Sequence, residues 1–208
     1  MLGPMPRIAV IDFETTGLSP AMGDRATEVA IVMVEGDRVV DRFQSLMNAG
    51  VRISPFIEAY TGISNAMIAA APPAASVMDD AARFVGDAPM VAHNASFDSR
   101  FWSSELQYAG RPTANAFACT LLLSRRLYPQ APSHKLGSLA AFHSLPSSGR
   151  AHRAMADAEV AAALLGQIRH DLRRQYGAGE CRHDLLVQVQ RSARHAMAKV
   201  IAKYLRQG

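Results

Sequence analysis

Cysteine is scarce in this chain. Only Cys119 and Cys181 occur, and they form no Cys-x-x-Cys pair. That argues against a disulfide framework and against a thiolate zinc site, and a reducing cytoplasm is the natural compartment. Long apolar runs are missing as well. No stretch of about 18 apolar residues exists, so no membrane span is expected. Met1 to Arg7 lacks a basic region followed by a long apolar stretch. The run Ile8 to Ile11 stops at Asp12, which reads as a strand and not as a signal peptide. Charged residues make up 19% of the chain, a little under the usual share of about 25%. Apolar residues are plentiful: 49% of 208 residues are hydrophobic, enough for one well-buried domain and a helical appendage. Nothing in this composition reads as disordered.

Charge is unevenly spread. The net +4 divides into nine Lys/Arg against three Asp/Glu from Arg169 to Gly208, and thirteen against fifteen before that. A basic tail suits nucleic acid, and it also suits a solvated helix face. Gly177-Ala178-Gly179 is the best linker. We therefore expect one domain over 1–176 and a linker with a basic amphipathic helix over 177–208. In Asp184 to Arg206, Leu186, Val189, Ala193, Met197, Val200 and Tyr204 recur at spacings of three and four, with the cations off that stripe.

Strand signals come first. Arg7 to Phe13 is a short apolar, β-branched run, Ala26 to Val34 and Arg38 to Met47 are strand-like, and Glu35-Gly36-Asp37 joins the last two as a hairpin. Met90 to His93 is a short strand. Helices are expected from Ser54-Pro55, over Ala74 to Val85, from Asn94 as N-cap to about Tyr108, and over Cys119 to Leu127, Lys135 to Phe142 and Ala154 to Ile168. Ser144 to Gly149 reads as a loop. Strands first, then alternation of strand and helix, imply a mixed sheet flanked by helices, an α/β domain.

Three short motifs carry chemistry: Ile11-Asp12-Phe13-Glu14-Thr15-Thr16-Gly17, His93-Asn94-Ala95-Ser96-Phe97-Asp98 and His152-Arg153-Ala154-Met155-Ala156-Asp157. Asp12 and Glu14 are two apart on a strand, so both leave one face, at the strand end where open α/β sheets place ligands. Side by side they repel unless a cation lies between them. Asn94 and Asp98 share a face at a helix start. Asp157 falls on the apolar stripe of its helix, where a carboxylate is costly unless paired or metal-bound. His152, with an ordinary pKa near 6.5, can accept a proton from water at neutral pH. Each motif alone also has a bland reading: a strand running into an acidic loop, an acidic first turn, a loop histidine.

In this order, the three motifs resemble the DEDD superfamily of 3′–5′ exonucleases in its histidine (DEDDh) branch, over about residues 7–168. Within it the chain is similar to the proofreading domain of the bacterial DNA polymerase III epsilon type. The resemblance implies an RNase H-like fold with a five-stranded mixed sheet and two Mg²⁺ or Mn²⁺ ions. Oxygen-only ligands suit these ions rather than zinc. It implies Asp12, Glu14, Asp98 and Asp157 as metal holders and His152 as general base. It places Thr15, Thr16, Gly17 and Leu18 at the 3′-terminal nucleotide, with Asn94 and Phe97 near it; Phe97 also reads as a core residue beside Phe101. Thr61 stands where epsilon subunits often carry histidine, which resembles exonuclease domains built into Gram-positive replicative polymerases. The implied substrate is a single-stranded 3′ end, DNA ahead of RNA. An RNA exonuclease of the RNase T or oligoribonuclease type stays open, as does a catalytically silent nucleic-acid-binding module. The C-terminal helix could dock on its own domain, on a second copy, on a polymerase subunit or on nucleic acid.

Overall fold

The computed structural model describes residues 6–113, 115–146 and 152–207. In chain order its elements are β1 (Arg7–Thr15), a 3-10 turn (Pro20–Met22), β2 (Ala26–Glu35), β3 (Arg38–Leu46), α1 (Pro55–Thr61), α2 (Asn65–Ala70), α3 (Ala74–Val85), β4 (Met90–Ala92), α4 (Ala95–Tyr108), β5 (Phe117–Cys119), α5 (Thr120–Leu127), α6 (Leu136–Phe142), α7 (Ala154–Tyr176), α8 (His183–Arg191), a second 3-10 turn (Arg194–Ala196) and α9 (Met197–Leu205). The Ser144–Gly149 loop expected from sequence lies, from residue 147 onward, outside the described residues. Among the described residues, no helix is long and apolar enough to cross a membrane.

The five strands form one mixed sheet in the order β3-β2-β1-β4-β5. β1 runs antiparallel to β2 and β2 to β3, whereas β4 is parallel to β1 and β5 parallel to β4. The C-terminal ends of β1, β4 and β5 therefore share one edge. This is the five-stranded RNase H-like architecture that the family resemblance implies.

Helices cover both faces, which explains why β1 and β2 are near-continuous apolar runs rather than alternating ones. Ile8 and Val10 join Ala161, Leu164, Leu165 and Ile168 of α7 in one core cluster. Ala9, Ile11 and Phe13 point the other way, into a second cluster with Val77 and Met78 of α3 and Phe101 and Trp102 of α4. By this parity Asp12 and Glu14 lie on the α7 side of the sheet.

Three expectations are corrected. Residues Phe117–Cys119 are a strand, where sequence merged Cys119 into the following helix; three residues are too few for a period to show. A helix at Asn65–Ala70, capped by the Ser64 hydroxyl, has no counterpart in the sequence reading. The tail is not one helix over 184–206. It breaks at Ser192, whose hydroxyl donates to the Val189 carbonyl at 2.8 Å and whose own carbonyl accepts from Arg126 Nε at 2.8 Å. The break turns α9 back, so that Met197 and Ile201 reach the same cluster as Leu185, Leu186 and Val189. A straight helix would carry them off the domain.

α8 also closes the β5 edge of the sheet. The Gln190 side chain accepts from the Cys119 amide at 2.6 Å and donates to the Phe117 carbonyl at 3.4 Å. One side-chain amide thus satisfies the donor and acceptor that a sixth strand would otherwise take.

Candidate active site

Three elements meet at the shared strand edge: the end of β1, the first turn of α4 and the first turn of α7. Asp12 and Glu14 come from β1, Asp98 from α4 and Asp157 from α7. One carboxylate oxygen from each of Asp12, Glu14 and Asp157 lies within 4.8 Å of the others. Asp98 and His152 flank this trio. Asp98 is buried and accepts a hydrogen bond from the Phe13 amide at 3.2 Å, which ties α4 to β1 beside Asp12.

Electrostatics make the cluster a poor place for bare carboxylates. Burial, and then the charges of Asp98, Glu14, Asp157 and Glu28, hold Asp12 well above the ordinary range. Burial, followed by Asp157 and Glu28, pushes Glu14 up to about 8. Burial likewise pushes Asp98 up to about 8 and raises Asp157, although the His152 amide partly offsets the latter. Repulsion of this kind is relieved by a cation. Several hard oxygen donors at one point fit a divalent metal, and the set contains no thiolate.

Glu28 sits opposite Glu14 in the antiparallel register and is buried, yet it is not a free ligand. Burial works to raise it, but hydrogen bonds from Arg153, Gln44 and the Ala154 amide outweigh burial and hold its carboxyl below the usual range. Arg153 reaches it through Nη2 at 2.8 Å and Nε at 3.1 Å, and Ala154 N at 3.2 Å. Glu28 therefore anchors the start of α7. Sequence reasoning missed this role; Arg153, inside the third motif, was the available signal.

His152 occupies the loop entering α7, with φ of +61°, a region that costs a non-glycine residue energy and that clusters at functional sites. Its amide donates to Asp157 Oδ2 at 3.1 Å. Its imidazole stacks on Tyr60, ring centroids 3.9 Å apart. Tyr60 is a second residue that sequence reasoning passed over.

The turn after Glu14 is built around Asp24. Asp24 accepts from the Ser19 amide at 2.9 Å and from the Thr16 hydroxyl at 3.3 Å. A Cβ on Gly17 would collide with the Asp24 carboxylate, so a larger residue there would have to displace that carboxylate from its hydrogen bonds. Thr15 Oγ1 donates to the Gly17 carbonyl at 2.6 Å. Leu18, four residues after Glu14 in the chain, is 79% exposed. Arg25, partly exposed, forms a bidentate pair with buried Glu105 (2.9 and 2.8 Å) and fixes the far end of this turn to α4.

Two further residues expected near the substrate are Thr61 and Asn94. Thr61 is 1% exposed, its hydroxyl donating to Ile57 O at 2.9 Å and accepting from Ile63 N at 3.1 Å. It closes α1 from inside and does not reach the open surface, because Gly62 ends the helix there in the left-handed region. Asn94 holds the N-cap position of α4 but is itself left-handed, at φ of +67°, and its side chain makes no cap bond. Its exposed amide instead lines a cleft of about 390 Å³ with Ser96, Ser99, Arg125 and Gln190. Phe97 packs on Phe101, ring centroids 4.8 Å apart.

The comparisons with known proteins point one way. The RNase_T family model, described as an exonuclease, matches residues 9–165. The "3′-5′ exonuclease DinG" of Bacillus subtilis is 36% identical over 168 residues, which are 80% of this chain and 18% of that protein. A "DNA polymerase III PolC-type" of Caldanaerobacter subterraneus is 37% identical over 155 residues, 74% of this chain and 11% of that protein. The "DNA polymerase III subunit epsilon" of Aquifex aeolicus is 33% identical over 172 residues, covering 82% of this chain and 84% of the subunit. This chain thus spans less than a fifth of the first two and most of the third. Among solved structures, "Exonuclease X in complex with 5′ overhanging duplex DNA" aligns with a TM-score of 0.63 at 27% identity, over 93% of this chain and 99% of that one. The nuclease domain of 3′hExo, "a DEDDh family member, bound to rAMP", has a TM-score of 0.68 over 82% of this chain and 95% of that one; at 18% identity it shows the fold alone.

Proposed function

The chain belongs to the exonuclease family that this model describes, and on that premise we propose that it is a metal-dependent 3′–5′ exonuclease releasing nucleoside 5′-monophosphates from single-stranded 3′ ends. The observation that carries this reading is the convergence of Asp12, Glu14 and Asp157 within 4.8 Å, with Asp98 and His152 beside them. Asp12, Glu14 and Asp157 would hold one Mg²⁺ or Mn²⁺, and Asp12 with Asp98 a second. When bound, such a pair polarises the attacking water and offsets the charge that builds on the phosphate oxygens. His152 takes the proton of that water on a ring nitrogen. Water oxygen then joins the terminal phosphorus as the bond to the 3′ oxygen of the preceding nucleotide breaks, and that oxygen takes a proton from solvent to become the new 3′-hydroxyl. Thr15, Thr16 and Gly17 line the terminal nucleotide, and exposed Leu18 contacts its base without reading sequence.

DNA is the proposed polymer, supported by relatives named for DNA polymerase III. Residues 1–176 would carry catalysis, with 177–208 docked on them, and a separate polymerase subunit is the proposed partner. Free, buried Cys119 and Cys181 accord with the cytoplasm. Digestion of 5′-labelled single-stranded DNA and RNA of equal sequence, with Mg²⁺, tests the reading. The expected result is a ladder shortening from the 3′ end, faster for DNA. A wide preference for RNA would reverse the polymer, and no cleavage of either would leave a silent binding module.

Metal dependence should also appear in stability. Without metal, Glu14 and Asp98 titrate at about 8, against about 4 in an unfolded chain. The folded state keeps protons that the unfolded chain has released. This contribution is therefore full below about pH 4 and is lost as pH rises toward 8. Mg²⁺ binding supplies at high pH the positive charge that protons supply at low pH. Melting scans should show a larger Mg²⁺-induced gain at pH 8 than at pH 6; at a hundred times Kd the gain is about 2.7 kcal/mol. An equal shift at both values, or none, would count against cation binding at these carboxylates.

A further inference from the structure

The main chain at His152 and Ala154 is pinned by two backbone amides. The His152 amide is held by Asp157 at 3.1 Å and the Ala154 amide by Glu28 at 3.2 Å, while the Arg153 guanidinium pairs with the same Glu28 carboxylate. The direction of the imidazole is then left to its side-chain torsions, and what meets the ring is Tyr60. The two planes stack at 3.9 Å between centroids and 28°.

Tyr60 is itself well anchored. α1 begins on a Ser54 cap and ends at Gly62, while buried Thr61 locks its last turn. The Glu58 carboxylate accepts from the Asn65 amide at 2.6 Å and side chain at 2.9 Å, and Asn65 in turn bonds Ile53. Ile53, Ile63 and Ile68 form a small buried cluster beneath. Phe56 stacks on Tyr60 at 5.9 Å and 12°. Burial, and then the charges of Glu14 and Asp157, hold the Tyr60 hydroxyl above its ordinary pKa.

Building on the exonuclease reading, we propose that Tyr60 is a positioning residue whose ring holds the His152 imidazole toward the carboxylate cluster. Offset aromatic stacking favours one ring orientation over the other rotamers available to an unpaired side chain. Losing it lowers the fraction of enzyme with the base in place, and turnover falls in proportion, while the hold on the substrate strand stays.

The test uses the full chain, a single-stranded DNA 20-mer and the p-nitrophenyl ester of thymidine 5′-monophosphate, which has no upstream bases. Tyr60→Ala should lower kcat about tenfold on both substrates, about 1.4 kcal/mol at 1.36 kcal/mol per decade, with KM within threefold. Tyr60→Phe, which keeps the stack, should recover most of that loss. In a His152→Ala background, Tyr60→Ala should add nothing, because the coupled partner is already gone. Proton NMR should show the His152 ring signals shifted by the Tyr60 ring current in the wild type and released in Tyr60→Ala, with or without turnover. An unchanged kcat, a rise in KM confined to the 20-mer, the same tenfold loss in the His152→Ala background, or an absent ring-current shift would each overturn the proposal. A wild type inactive on both substrates would instead overturn the exonuclease reading and leave the ring-current result standing.

Discussion

Replacing Asp12 by Asn should lower exonuclease turnover by about a thousandfold or more and, in the metal-free protein at pH 8, raise the melting temperature. The two effects share one cause. Asp12 is held well above its ordinary pKa by burial and by four neighbouring carboxylates. Asparagine keeps the shape, removes the charge and relieves that repulsion. A gain of about 1–2 kcal/mol would move the midpoint by roughly 2–8 °C in a chain of this size. The same change removes a donor from the trio with Glu14 and Asp157. A thousandfold loss is about 4 kcal/mol, in keeping with the several kcal/mol that metal coordination contributes at a phosphoryl centre. Mg²⁺ should then no longer raise the midpoint. Activity within tenfold of wild type would sink the metal assignment; a midpoint that falls would mean that the Asp12 carboxylate supports the fold. Sites that give up stability for function behave in the proposed way.

Asp12 and Glu14 were legible in the sequence because strand parity is local. Residues two apart must share a face, and Ile8 and Val10 mark that face as the α7 side. Asp157 was legible for a similar reason, as a charge on an apolar helical stripe. What escaped were pairings between distant parts of the chain. Neither Tyr60 nor His152 signals the other, and only the packed α1 and α7 entry loop bring the rings to 3.9 Å. Glu28 looked like one polar residue in a strand; its hydrogen bonds from Arg153 cross 125 positions of sequence. Thr61 shows the opposite case. Its expected place at the substrate came from the family resemblance, yet the last turn of a helix points neighbouring side chains in different directions, and Thr61 turns inward. Asn94 had the right residue type for a cap, but its backbone is left-handed where a cap is normally extended, and its side chain makes no cap bond. The short β5 is defined by its neighbours, β4 on one side and Gln190 on the other, and has no period of its own.

The tail carries the largest stability prediction: a chain ending at Gly177 should not fold to a stable, soluble monomer. Leu185, Leu186, Val189, Met197 and Ile201 are all buried, in the same cluster as Ile8 and Val10 of β1 and Leu164 and Ile168 of α7. At about 1.5–3 kcal/mol per buried side chain their loss approaches 7–15 kcal/mol, against a total stability of about 5–15 kcal/mol for a typical domain. Truncation would also uncover the α7 and α5 surfaces that these residues cover. The Cys119 amide and Phe117 carbonyl would lose Gln190, leaving an open strand edge prone to pairing with other chains. Because β5 lies next to β4 and the α4 entry, the damage should reach Asp98. Soluble yield, circular dichroism and a melting scan of residues 1–177 against the full chain decide the matter. A truncated protein that is soluble, cooperative in melting and within a few degrees of the full chain would show that the tail is an accessory. Its exposed cations, Arg191, Arg194, Lys199 and Lys203, would then be free to serve a partner instead of decorating the outside of a segment whose inner face completes the core.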